Sequence, residues 1–168
     1  VELANSALRL VFGEADVGFA CIGIENLLGE RRRFVQPRTG LAGLWSLVFK
    51  APSADDGQAE SVVVNNRTEA KKVFVKRSKN RLQFFWQGID LPGEQAVLDV
   101  VAEVALNKGS GASEWRLKAH NRSKRFGLES SVYPELGAVV PNGVGDVLLP
   151  TGNWGGFLMR QHKGSYKA

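Results

Sequence analysis

The sequence TEAKKVFVKRSKNRLQFFWQ, residues 68–87, carries the pattern that decides the fold class. After a polar turn at residues 78–80, Leu82, Phe84 and Trp86 alternate with Gln83, Phe85 and Gln87, and before it Val73 and Val75 face opposite to Phe74. Successive side chains of a strand point to opposite faces, so a period of two indicates a half-buried strand. The two runs predict a β-hairpin with Leu82, Phe84 and Trp86 on its buried face.

The same alternation recurs along the rest of the chain, for example at Leu8, Leu10 and Phe12. Glycine makes up 19 of the 168 residues, more than the ~7% of an average protein, which fits many tight turns. Ten to thirteen short strands and no strand–helix–strand units predict an all-β fold, an antiparallel β-sandwich. We expect residues 1–168 to form one β-sandwich domain.

Two segments are ambiguous. Residues 89–94, IDLPGE, are predicted to form a loop. Residues 95–106 fit an apolar helix face and an apolar strand face equally well, and their four valines favour a strand.

The formal charge of +5 raises nucleic acid as a partner. Basic residues surround the aromatics of the hairpin, as in proteins that bind single-stranded nucleic acid. The same side chains would also protect a sheet edge, which is the interpretation we favour. A nucleic-acid-binding β-domain that uses this hairpin stays as an alternative. The basic residues are Lys71, Lys72, Lys76, Arg77, Lys79 and Arg81.

Few residues suit reactive or metal chemistry. Cys21 is the single cysteine and lies in an apolar run, which predicts a buried thiol and no internal disulfide. The two histidines lie far apart, so no metal site and no cofactor are expected. No apolar run approaches the ~18 residues of a membrane helix, so no membrane partner is expected. Asn66 and Asn121 fit the glycosylation pattern, and we interpret both matches as chance.

The stretch SVYPELGAVVPNGVGDVLLPTGNWGGFLMR, residues 131–160, is rich in proline and glycine and predicts a shaped surface. Trp154 lies between glycines, and an indole suits the apolar face of a sugar ring. Asn153 and Asp146 could add directional hydrogen bonds, which makes these three residues the candidate carbohydrate-binding site. The alternative is that Trp154 fills a neighbouring surface of the same protein. No catalytic motif is visible.

Short motifs follow one another in a defined order along nearly the whole chain. They are Leu8-Arg9-Leu10, Gly18, Ile22-Gly23-Ile24-Glu25-Asn26, Leu44-Trp45, Leu82-Gln83-Phe84-Phe85-Trp86, Trp115-Arg116-Leu117, Asn121-Arg122-Ser123, Tyr133-Pro134-Glu135-Leu136 and Asp146-Val147-Leu148-Leu149-Pro150. As a diffuse pattern, their order resembles the N-terminal β-sandwich of bacterial α-galactosidase-like glycoside hydrolases. That domain is called a supersandwich, is similar to galactose mutarotase, and precedes a catalytic (β/α)8 barrel.

The resemblance implies a fragment of a longer chain whose catalytic carboxylates lie in an absent barrel. The domain would then be a non-catalytic accessory domain that supports the barrel and lends the Trp154 loop to carbohydrate binding. Its partners would be a carbohydrate and the catalytic domain of the same parent chain, in an extracytoplasmic location. The mutarotase His and Glu acid/base pair has no counterpart here, so this domain alone is not expected to be an enzyme. An independent carbohydrate-binding module is the first alternative.

Overall fold

Antiparallel strands dominate the computed structural model, which describes residues 1–29, 32–33, 43–52, 59–136, 146–150 and 156–160. Residues 32–33, 146–150 and 156–160 are described at the level of the backbone. The strands are β1 (Glu2–Ala4), β2 (Leu8–Phe12), β3 (Cys21–Asn26), β4 (Arg32–Arg33), β5 (Ser46–Lys50), β6 (Ser61–Asn65), β7 (Ala70–Ser78), β8 (Arg81–Leu91), β9 (Glu94–Leu106), β10 (Ser113–Asn121), β11 (Gly127–Val132), β12 (Asp146–Pro150) and β13 (Gly156–Arg160), with a 3-10 helix at Ala15–Val17.

The strands form three sheets and a separate two-stranded ribbon. The N-terminal sheet has the order β1-β2-β3-β4, the central sheet the order β10-β9-β8-β7, and the three-stranded sheet the order β11-β5-β6. The ribbon pairs β12 with β13. Every pairing is antiparallel, which confirms the predicted all-β sandwich.

The core lies between the inner face of the central sheet and the inner faces of the other two sheets. Phe84 on β8 meets Phe12 of the N-terminal sheet with 4.9 Å between ring centroids. Trp86, two residues further along β8, meets Trp45 beside β5 edge-to-face, with 5.2 Å between centroids. Because every second side chain of β8 points into the core, Phe84 contacts the N-terminal sheet and Trp86 contacts the three-stranded sheet.

The structure confirms the hairpin and the strand at residues 95–106. Lys79 and Asn80 form the turn between β7 and β8. On β9, the alternate residues Leu98, Val100 and Ala102 are fully buried. Burial at every second residue is the period of a strand rather than of a helix.

The predicted loop at residues 89–94 is wrong. Strand β8 continues to Leu91, β9 begins at Glu94, and these two residues pair directly. Only Pro92 and Gly93 form the turn. Gly93 has φ +77°, a conformation that glycine adopts without steric cost, so two residues reverse the chain here.

Asn66, which follows β6, connects all three sheets through buried hydrogen bonds. Its side-chain Oδ1 accepts from the Leu44 amide and its Nδ2 donates to the Gly18 carbonyl, each at 3.0 Å. Its backbone carbonyl accepts from Trp86 Nε1 at 3.0 Å. Leu44 leads into β5, Gly18 leads toward β3 and Trp86 lies on β8, so a single residue joins the three-stranded, N-terminal and central sheets.

Gly18 makes this contact possible by its small size. A Cβ at this position would lie 2.1 Å from the Asn66 carbonyl oxygen, and Gly18 has φ +65°. Both the close approach and the left-handed backbone therefore require glycine.

We expect Asn66→Ala to lower the free energy of unfolding by about 2–5 kcal/mol, because it leaves a buried donor and a buried acceptor unpaired. Urea denaturation followed by tryptophan fluorescence measures the loss. Asn26→Ala is the control, since among the described residues the Asn26 side chain accepts a single, exposed hydrogen bond, from the Leu28 amide. That change should cost less than about 1 kcal/mol. Equal losses in the two variants would contradict this role of Asn66.

Candidate interaction surfaces

The predicted sugar-binding residues fall at the β12–β13 ribbon. Asp146 is the first residue of β12, and its backbone pairs with Arg160 at the end of β13. Asn153 and Trp154 lie between the two strands, outside the described residues. Their role as a carbohydrate site therefore stays a prediction.

The outer face of the central sheet carries an aromatic pair. Phe74 on β7 and Phe85 on β8 are directly opposite each other, and their rings are stacked at 4.6 Å with an interplanar angle of 3°. Both side chains are half-buried. They lie on the side of the hairpin opposite to Phe84 and Trp86, so they belong to the surface and not to the core.

Two lysine side chains fold over this aromatic pair. Lys72 Nζ lies 5.0 Å from the Phe74 ring centroid. Lys76 Nζ lies 5.8 Å from the Phe74 centroid and 5.2 Å from that of Phe85 on the neighbouring strand. A cation over a ring face is attracted by the ring quadrupole, so the rings position both ammonium groups. We call the outward side chains of Lys72, Phe74, Lys76, Phe85 and Lys118 the cationic face.

The carboxylates near the cationic face already have partners. Glu103 accepts a hydrogen bond from Gln83 at 2.7 Å and lies 3.6 Å from the Arg81 guanidinium. Asp99 pairs with Arg122 at 2.6 Å. Within the described part of the chain neither Lys72 nor Lys76 forms an ion pair, so this surface keeps its positive charge.

The outer face of the three-stranded sheet carries three valines among polar side chains such as Ser46 and Ser130. Val63 on β6 is 63% exposed and Val132 on β11 is 51% exposed. The half-buried Val48 on β5 is directly opposite Val63. We call Val48, Val63 and Val132 the apolar face. An accessory domain implies an exposed apolar face, but the sequence did not locate it, because the run Val62-Val63-Val64 does not show which valine points outward.

Hydrogen bonds to Asp99 stabilise an irregularity in the central sheet. The pairing of β8 with β9 shifts between Trp86 and Ile89. In this bulge the Gly88 amide donates to Asp99 Oδ1 at 2.8 Å, while Arg122 donates to Oδ2. The hydrogen bond from Arg122 is the main cause that holds the pKa of Asp99 below its usual value, and the Gly88 amide adds to it.

Cys21 and Tyr133 are two further titratable groups, of which Cys21 belongs to the buried core and Tyr133 packs against it. Cys21 is buried, as the sequence predicted, and burial raises the pKa of its thiol to about 11. Burial likewise raises the pKa of Tyr133, whose hydroxyl donates to the Glu103 carbonyl at 2.8 Å. Among the described residues no group of three or more His, Cys, Asp or Glu side chains could hold a metal ion.

Both matches to the glycosylation pattern fall on asparagines with structural roles. Asn66 is only 3% exposed. The Asn121 side chain donates to the Phe126 carbonyl at 2.7 Å and accepts from the Ser123 amide at 3.0 Å. Because these hydrogen bonds use the amide that a glycan would modify, they support the interpretation of both matches as chance.

Comparison of the chain with protein-family models and with curated proteins found no match. Within the described residues, no helix is long and apolar enough to cross a membrane.

We expect Asp99→Asn to destabilise the protein at pH 7 by about 1–2 kcal/mol, since hydrogen bonds to a charged group are stronger than neutral ones and partial exposure weakens them. A carboxylate whose pKa is lowered by folding stabilises the protein above its unfolded pKa. This contribution is lost as the pH falls through the folded pKa. The difference between wild type and variant should therefore shrink on acidification toward pH ~3 in urea titrations. A difference that is independent of pH would contradict the assignment.

Proposed function

We propose that this β-sandwich is a non-catalytic accessory domain of a glycoside hydrolase and supports the catalytic domain of the same parent protein. The apolar face carries this proposal. Three valines on adjacent strands face outward from the three-stranded sheet, where an isolated surface would favour polar side chains. The core of a protein interface is apolar in the same way.

The energetics favour a covered apolar face. Complete burial of a fully exposed valine side chain is worth about 1.5–3 kcal/mol, and Val63 and Val132 still have roughly half or more of that surface to bury. Val63 and Val132 lie on the two outer strands of their sheet with Val48 near the middle, so a single flat partner surface can cover all three. The rigid sandwich behind them holds the valines in place without further ordering on binding.

The carbohydrate role of the domain centres on the ribbon. Strand β11 carries Val132 of the apolar face and is the last described strand before β12. In this proposal Asp146, Asn153 and Trp154 contribute to the sugar site of the catalytic partner. The acid and the base of hydrolysis would lie in the catalytic partner. This placement is implied by the family resemblance, since no motif of this chain supplies them.

The double change Val63→Asp and Val132→Asp in the parent protein tests the docking. We expect the β-sandwich to stay folded, because both side chains are more than half exposed, while contact with the catalytic domain is lost. Calorimetry should then show two separate unfolding transitions where the parent protein shows one, and glycoside hydrolysis should fall.

Leu28→Asp is the matched control, since Leu28 is 59% exposed and lies outside the three-stranded sheet. An equal effect of Leu28→Asp would contradict docking through the apolar face. Saturable binding of neutral oligosaccharides by this chain alone, lost in Trp154→Ala, would identify an independent carbohydrate-binding module instead.

A further inference from the structure

We propose that the cationic face binds an acidic polysaccharide, a sugar chain that carries carboxylate or sulfate groups. This surface lies on the central sheet, whereas the apolar face lies on the three-stranded sheet. The binding does not depend on docking through the apolar face. The choice of a carbohydrate among polyanions does rest on the proposed function.

The lysines of the cationic face have the geometry of a binding surface rather than of edge protection. A lysine that protects a sheet edge extends from the edge strand into solvent. Lys76 instead reaches inward from the edge strand β7, so that its ammonium lies 5.2 Å from the Phe85 ring centroid on β8. The charge is thereby presented over the sheet, where a bound chain would lie.

The stacked rings lower the cost of binding. A free lysine side chain loses rotamer freedom when a ligand fixes it, and this loss opposes binding. Lys72 and Lys76 are already held over Phe74 and Phe85 by cation–π contacts. Part of the ordering cost is therefore met before a ligand arrives, which favours affinity.

The size of the cationic face fits a chain of several sugar units. Lys72 and Lys76 are four residues apart on β7, which corresponds to about 13 Å along the strand. Strand register places Phe74, Phe85, Val101 and Lys118 in one row across the sheet. That row spans about 14 Å, because neighbouring strands are ~4.8 Å apart. Lys118 ends this row on β10, and Lys72 and Lys76 lie two residues to either side of Phe74 at the other end. Cations spread over this distance suit an extended anion better than a single small one.

The same geometry disfavours single-stranded nucleic acid. Proteins that bind it stack bases on free aromatic faces. Phe74 and Phe85 stack on each other, and Lys72 and Lys76 lie over their rings. The exposed Gln87, directly opposite Lys72, offers an amide that can both donate to and accept from sugar hydroxyls.

Isothermal titration calorimetry of this chain at low salt tests the proposal, with oligogalacturonate and heparin-derived oligosaccharides as acidic probes. Neutral galactose-based oligosaccharides of matched length and oligothymidylate are the comparison ligands. The test variant is Lys72→Gln with Lys76→Gln. Lys108→Gln with Lys124→Gln is the control, since it removes the same charge at two exposed positions outside strands β7 and β8. Thermal melting verifies that both variants fold.

We expect one of the acidic probes to bind and the test variant to weaken its binding at least about tenfold, with a smaller dependence of log affinity on log salt. The control should bind as the wild type does. Three results would overturn the proposal: no binding of acidic probes at low salt, equal losses in the two variants, or tighter binding of oligothymidylate than of either acidic probe. None of these results involves the apolar face, so the docking proposal would stand or fall separately.

Discussion

The buried hydrogen bonds of Asn66 are the constraint on which this sandwich depends. Sheets that pack face to face are held by apolar contacts, which have little directional preference. Asn66 adds directional contacts, because its side chain and its backbone carbonyl form hydrogen bonds with Leu44, Gly18 and Trp86, one for each sheet. A buried amide left unpaired is costly, so an arrangement that satisfies all three contacts is favoured over one that does not.

The sandwich exposes the outer faces of two sheets, and these faces differ in chemistry. The central sheet presents Lys72 and Lys76 over a stacked phenylalanine pair, while the three-stranded sheet presents Val63 and Val132. Neither set of side chains contributes to the core, so their arrangement is free to serve recognition. One domain can in this way contact a protein surface on one side and a charged ligand on the other.

Local patterns predicted those parts of the fold that local physics determines. The hairpin follows from a period of two, the strand at residues 95–106 from its four valines, and the buried Cys21 from the apolar run around it. The loop predicted at residues 89–94 was wrong because proline and glycine suggested a longer break than the two-residue turn they form. Asn66 was seen only as a glycosylation match, since its partners lie 20 to 48 residues away. The candidate residues Asn153 and Trp154 lie outside the described residues.

Hydrogen exchange at the Leu44 amide tests the central role of Asn66 most directly. Leu44 precedes β5, where an amide outside the strand would ordinarily exchange by local opening. If Asn66 joins the sheets, this amide and the Trp86 indole N–H should exchange only through global unfolding, as slowly as the amides at the centre of β8 and β9. Exchange of the Leu44 amide at the rate of an exposed turn would show that the junction opens independently, and would contradict this account.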